Sequence, residues 1–221
     1  MTERSDSTMP QGHCRPRRKW RGGLILLLLV VAASDQGADC IYLADCNDNL
    51  VVLDESDLSP LYSMDDSVPS PPLSPPYSGP AGLVVNGAFA YTNQEGNPDT
   101  SGEHLLLPGA ILEFNVAGQV RTAEFATGRG NYNLVCANGK LYTPNAEDGT
   151  VTMIDPPRRV TKTLEGFGVS PSGIAATPDG SRVLVGDSES GNVFVIDTET
   201  DRVILSFPSQ AGIQAMLATD E

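Results

Sequence analysis

Tryptophan, histidine and basic side chains are scarce in this 221-residue chain, and each shortage narrows what it can do. The single tryptophan, Trp20, sits in an N-terminal segment that reads as a removable leader. What remains has no indole on which sugars or aromatic ligands could stack. Of two histidines only His104 lies beyond residue 34, so a Ser–His–Asp triad would have one histidine to draw on and nothing evident to fix it in place. Lys and Arg number 14 against 28 Asp and Glu, a net charge of −14, and such a surface repels phosphate backbones and anionic lipid headgroups. Nucleic acid is therefore not an expected partner. There is no Cys-x-x-Cys-His for haem attachment, no Gly-x-Ser-x-Gly elbow and no phosphate-cradling glycine loop. Aromatics make up 6%, while 22 Gly and 17 Pro point to a turn-rich β protein whose 40% hydrophobic content is enough for a core.

Long apolar runs are missing as well, with one exception. Arg15, Arg17, Arg18, Lys19 and Arg21 precede an unbroken apolar stretch from Leu24 to Ala33. That stretch matches the h-region of a signal peptide and falls short of the roughly 20 residues that span a bilayer. Ala32 and Ser34 have the spacing signal peptidase requires, so residues 1–34 are expected to be a signal peptide cleaved after Ser34, a retained anchor being the alternative. The segment carries six basic and two acidic residues, so its removal leaves 8 basic against 26 acidic side chains, a net charge of about −18. The expected location is extracytoplasmic, periplasmic or secreted, with no membrane contact after cleavage. Cys14 would leave with the leader, and the odd set Cys40, Cys46 and Cys136 assigns no bridge.

What is abundant is repetition. Four segments share a short apolar strand, a polar turn and a second strand ending in Asp or Asn: 41–54, 88–115, 140–155 and 182–197. The closing residues Asp54, Asn115, Asp155 and Asp197 are spaced by 61, 40 and 42 residues. Two insertions account for the long first interval, so the underlying period is about 40. Small apolar strands precede three of the hairpins at 82–87, 133–139 and 173–180. Alternating third strands follow, as in Val160, Lys162 and Leu164, then Val203, Leu205 and Phe207. The pairs Asn86-Gly87, Asn138-Gly139 and Asp179-Gly180 predict tight turns with positive φ at both central residues. Four strands per unit at this period is the pattern of propeller blades.

The stretch 171–207 resembles a YVTN-type (YncE-like) β-propeller repeat, through the turn Gly173–Gly180 and the strand Val193–Thr200. The sequences Tyr91-Thr92-Asn93 and Tyr142-Thr143-Pro144-Asn145 echo the motif that names that family. The resemblance implies an all-β propeller of about four four-stranded blades, at about 40–65, 80–126, 131–165 and 172–207 within a repeat domain 35–221. The C-terminal strand 212–218 is expected to pair into the first blade and close the ring. Two chains forming an eight-bladed ring, or a shortened relative of a larger propeller, are the alternatives, so the protein is expected to be a monomer or homodimer.

Function is expected to sit in two insertions. Residues 65–80 are Pro/Ser-rich and cannot form a central strand or a helix, and 94–108 interrupt the second blade's hairpin with Glu95, Asp99, Glu103 and His104. Their positions in the blade pattern place them side by side on one face, as a candidate ligand-binding loop pair. No cofactor is expected, and a divalent metal at the His104 loop is the one candidate ion. The acidic turns 47–49, 146–149 and 187–192 lack calcium-loop spacing and read as turns. The expected role is an exported acidic binding or scaffolding module for a protein or cationic ligand. The rival readings are a lactonase-like or quinoprotein-dehydrogenase-like enzyme with a metal or quinone cofactor, and a truncated propeller with no function of its own.

Overall fold

The computed structural model describes residues 29–32, 40–44, 49–54, 60–65, 80–94, 107–209, 212–213 and 216–219, with side chains from residue 82 onward. Among them every regular element is a strand, and the sixteen strands form four antiparallel sheets of four. Blade 1 holds β1 (Leu29–Ala32), β2 (Cys40–Ala44), β3 (Asn49–Asp54) and β4 (Pro60–Asp65). Blade 2 holds β5 (Pro80–Asn86), β6 (Phe89–Gln94), β7 (Pro108–Asn115) and β8 (Val120–Arg129). Blade 3 holds β9 (Val135–Ala137), β10 (Lys140–Asn145), β11 (Thr150–Asp155) and β12 (Val160–Leu164). Blade 4 holds β13 (Pro171–Ala176), β14 (Arg182–Asp187), β15 (Asn192–Asp197) and β16 (Arg202–Pro208). In each blade the strands run inner to outer in chain order. The inner strands of successive blades lie side by side, β1 by β5, β5 by β9 and β9 by β13.

The blades stack because both faces of each inner hairpin are apolar. Strand residues alternate between faces, and directly paired residues share one. Tyr91, Ile111 and Phe125 of blade 2 therefore point together at Leu141 and Ile154 of blade 3. Tyr142, Val151, Met153 and Leu164, on the other side of blade 3, meet Val183, Val185 and Ile196 of blade 4. Phe167, on the link between these two blades, fills their junction and meets the Phe194 ring edge-on at 5.7 Å. Each such Leu, Ile or Phe gains about 1.5–3 kcal/mol by leaving water, so a single junction outweighs its surface ion pairs.

The ring is not closed. The inner place of blade 1 is taken by Leu29–Ala32, paired with β2 from Leu29↔Leu43 to Ala32↔Cys40, inside the stretch read as a leader. The expectation that 212–218 would fill that place is corrected. Gly212 and Ile213 instead lie on blade 4, held by Gly212 N donating to Ser188 O at 2.8 Å and Ser172 Oγ donating to Ile213 O at 2.9 Å. The glycine at 186 makes room there, since any side chain on it would collide with Ile213.

The turns bear out the expectation only in part. Asn138 and Gly139 both have positive φ, 50° and 72°. In blade 2, however, Asn86 is still a strand residue paired with Phe89, so the turn is Gly87-Ala88 with Gly87 at 59°. In blade 4, Thr177 O accepts from Gly180 N at 2.8 Å and Asp179 stays at negative φ, bonded to Thr177 and Ser181. The longer loop around Pro178 removes the need for a second left-handed residue.

Candidate functional site

The register of blade 2 brings the feet of the two insertions together. Pro80, where the Pro-rich link enters β5, is the pairing partner of Gln94, where β6 leaves for the second insertion. Gln94 in turn pairs with Ala110, just past the return at Pro108. Both connections therefore arise at one end of the blade and on adjacent strands. Glu95, Asp99, Glu103 and His104 lie outside the described residues, as does the interior of the Pro-rich segment.

At the same end of blades 3 and 4, polar residues finish the second strand and hold the incoming link. Asn145 is buried: its Oδ1 accepts Gly128 N at 3.1 Å, and its Nδ2 donates to Thr150 and Thr152 Oγ1 at 2.8 and 2.9 Å. Asp148 adds a second grip, accepting Arg129 N at 2.7 Å and Arg129 Nε at 2.6 Å. Asp187 does the same for blade 4, accepting Val169 N at 3.0 Å, Ser170 N at 2.9 Å and Ser190 Oγ at 2.5 Å. Burial works to raise the Asp187 carboxyl, but the hydroxyl of Ser190 and three backbone N–H groups outweigh it and hold it below the ordinary carboxylate range. The acidic sequences 146–149 and 187–192 are thus turns, as the sequence indicated. Among the described residues, no group of three or more His, Cys, Asp or Glu is placed to hold a metal.

A second polar system ties blades together at their opposite ends. Glu113 is a buried carboxylate in the middle of an apolar strand. It accepts Tyr91 OH at 3.2 Å, Thr122 Oγ1 at 2.7 Å and Arg159 Nη1 at 2.9 Å, the last reaching across from blade 3. The Arg159 guanidinium also lies 5.5 Å from the Phe125 ring centre. One blade further on, Tyr142 OH and Lys140 Nζ both reach Asp201 of blade 4 at 2.8 Å. The bridging residues Arg159 and Asp201 occupy the same turn position and share a left-handed backbone, φ 55° and 53°. Desolvation, reinforced by the adjacent carboxylate, pushes both tyrosine hydroxyls well above their ordinary range. Sequence reasoning did not find this system. Its signal was Glu113, an acid where the repeat has Met153 and Val195.

The described residues that close the third strands act locally. Asn115 Oδ1 accepts Gly118 N at 2.7 Å, Asp155 Oδ1 accepts Arg158 N at 3.3 Å and Asp197 Oδ1 accepts Thr200 N at 2.8 Å. These bonds shape the four-residue turn into each outer strand. Asp54, the fourth of the set, lies where side chains are outside the described residues. An open cavity of about 290 Å³ lies between blades 3 and 4, with Lys162, Glu165, Phe167, Asp201 and Arg202 in its wall. Burial raises the half-buried Cys136 thiol, against a backbone hydrogen bond at Gly139 that lowers it, which leaves it a poor nucleophile.

No protein-family model and no curated protein matches the chain. Solved structures do, β-propellers among them. The β-propeller domain of Myceliophteria thermophila Cps50 (Swd1) superposes with a TM-score of 0.62 at 14% identity, over 84% of this chain and 57% of its own. The RRP9 WD40 repeats give 0.56 at 15% identity, over 80% and 48%. Hydrazine synthase of Kuenenia stuttgartiensis gives 0.59 at 15%, over 83% and 63%. The chain thus has a β-propeller fold built from repeated antiparallel blades, and it spans about half to two thirds of the length of these structures.

Proposed function

We propose that this chain is an exported, acidic propeller of the YVTN type that serves as a binding or scaffolding module. It presents insertions 65–80 and 94–108 to a protein or cationic ligand outside the cytoplasm. The shared foot at Pro80 and Gln94 carries the reading, because it forces two long loops of different composition to leave the fold side by side. Asn145, Asp148 and Asp187 are committed to holding turns and links, and Glu113 and Asp201 to the blade junctions. The excess of acidic residues favours a basic partner, and the fold's solved neighbours include WD40 repeats and a subunit of a mitotic checkpoint complex.

A lysine-rich peptide titrated into the full chain tests the charge and the loops together. Affinity is expected to fall as salt rises, and to drop at least tenfold when Glu95→Gln, Asp99→Asn and Glu103→Gln are combined. Equal binding by the native chain and this variant would sink the proposal. Fusing residues 1–34 to a reporter active only outside the cytoplasm tests export, and an inactive fusion would remove that part of it.

A further inference from the structure

We infer that the cavity between blades 3 and 4 is a binding site for a small organic anion, a carboxylate carried on an apolar body. Its volume of about 290 Å³ is close to the roughly 300 Å³ at which small-molecule sites begin. The preceding junction explains why the space exists. There Arg159, in the turn before β12, lays its guanidinium over the Phe125 ring and pairs with Glu113. Asp201 holds the same place in the turn before β16, but its shorter side chain goes to Lys140 and Tyr142. Leu164, in the cavity wall, is the counterpart of Phe125: they pair with Val151 and Ile111, each four places before the closing Asp155 or Asn115. The cavity is thus the space that Arg159 fills one blade earlier.

The charge around that space has changed sign. Blade 3 has Met153 where blade 2 has Glu113, so a cation entering here meets no equivalent of the carboxylate that holds Arg159. Blade 3 also has Lys162 where blade 2 has Ala123, and blade 4 has Arg202 where blade 3 has Val160. Both of these cations line the cavity. Beyond residue 34 the chain has eight basic side chains, and Arg121, Arg129, Lys140, Arg158 and Arg159 are paired with carboxylates. Of the three left, two are Lys162 and Arg202, and neither has an ion pair among the described residues. Two acids share the wall, but Lys140 already neutralises Asp201. Lys162 and Arg202 against Glu165 leave one positive charge, in a chain of net charge −14. One charge suits a monoanion better than a doubly charged phosphate, and the Arg202 guanidinium can grip a carboxylate with two parallel hydrogen bonds. Phe167 and Leu164, both buried, give the wall its apolar part, which a bare inorganic ion would leave unused.

Calorimetric titration of the full chain with 3-phenylpropionate, 2-phenylethylamine and inorganic phosphate tests this. The first is expected to saturate one site with a dissociation constant of about 1 mM or below, and to bind about tenfold tighter than the other two. Lys162→Gln and Arg202→Gln change exposed side chains and spare the core, so both variants should keep the native circular dichroism spectrum. Combined, they are expected to weaken 3-phenylpropionate about tenfold or more. Arg182→Gln removes the same charge from the remaining unpaired basic residue, outside the cavity, and should leave the affinity unchanged. Absence of saturation at about 10 mM would overturn the inference. So would equal binding of 2-phenylethylamine or phosphate, native affinity in the double variant, or an equal loss from Arg182→Gln.

Discussion

Replacing Arg159 by glycine should harm this protein less than replacing it by alanine, although glycine gives up more conformational freedom on folding. Arg159 does two things. Its guanidinium faces the buried Glu113 carboxylate, and its backbone holds φ at 55° to turn the chain into β12. Removing one partner of a fully buried ion pair costs about 3–5 kcal/mol, but Arg159 is half-exposed and Glu113 keeps Tyr91 and Thr122 as donors. A loss of about 2 kcal/mol is the reasonable scale, with about 0.5 kcal/mol more for the contact over Phe125. Both substitutions lose this. They part company at the backbone, where a left-handed conformation costs a residue with a Cβ about 1–2 kcal/mol. The greater unfolded-state freedom of glycine returns only about 0.4–1 kcal/mol. Glycine should come out ahead by about 0.5–1 kcal/mol in urea unfolding followed by circular dichroism. Gln119, exposed at the same turn of blade 2 with φ 51°, gives the backbone effect without the ion pair, and Gln119→Gly should exceed Gln119→Ala by the same margin. The margin at 159 should survive in a Glu113→Gln background, where the ionic part shrinks. If alanine matches or beats glycine at both positions, the left-handed turn is not a cost the fold carries and the reasoning fails.

The link into blade 4 offers a second pair. Gly166 and Gly168 both have positive φ, 92° and 89°, but a Cβ on Gly166 meets open space while one on Gly168 runs into the Asp187 carboxylate. Gly166→Ala should cost about 1–2 kcal/mol, and Gly168→Ala about 3 kcal/mol because it also dislodges the acceptor of Val169 and Ser170. Equal losses in the same urea assay would show that Asp187 yields freely. The same carboxylate sets the acid limb of stability. Asp187 and Asp197 are held below the unfolded value near 3.8, and Asp179 falls to about 2 through its bonds to Thr177 and Ser181. Their stabilisation is complete above about pH 4 and is lost as pH falls toward 2, since the unfolded chain then takes up protons the folded one resists. The melting temperature should drop across that window, and Asp187→Asn should lower it at neutral pH while flattening the slope; an unchanged slope would remove Asp187 from the account. At the alkaline end the signs reverse. Tyr91 and Tyr142, pushed up by burial, stabilise the fold up to about pH 10 and lose that contribution above it, so Tyr142→Phe should soften the alkaline fall.

The fold was legible because the repeat writes the same local chemistry in each unit. Asn115, Asp155 and Asp197 bond the residue three positions on, and such a side-chain-to-backbone turn requires a short acceptor at that place whatever packs around it. Period-two alternation likewise marked Val160, Lys162 and Leu164 as one face of a third strand, and the structure pairs them with Asp155, Met153 and Val151. Three features did not show. The stretch Leu29–Ala32 is uniformly apolar, and such a run has no period to separate a signal core from an inner strand. Asn86-Gly87 looks like the two central residues of a turn, yet Asn86 remains paired, because the register of β5 and β6 decides which residues are central. The polar junction through Glu113 joins residues from two blades, and no window on one strand contains both halves.

Those junctions explain how an open arc of blades keeps its order. Apolar burial is non-directional, so the faces alone leave one blade some freedom to slide along the next. The Glu113–Arg159 and Lys140–Asp201 bonds remove that freedom, because a shift would leave a buried carboxylate or an amine without its partner. Blade 4 has Leu184 where blades 2 and 3 have Tyr91 and Tyr142, so its outward face holds the apolar half of a junction without the tyrosine that fixes it.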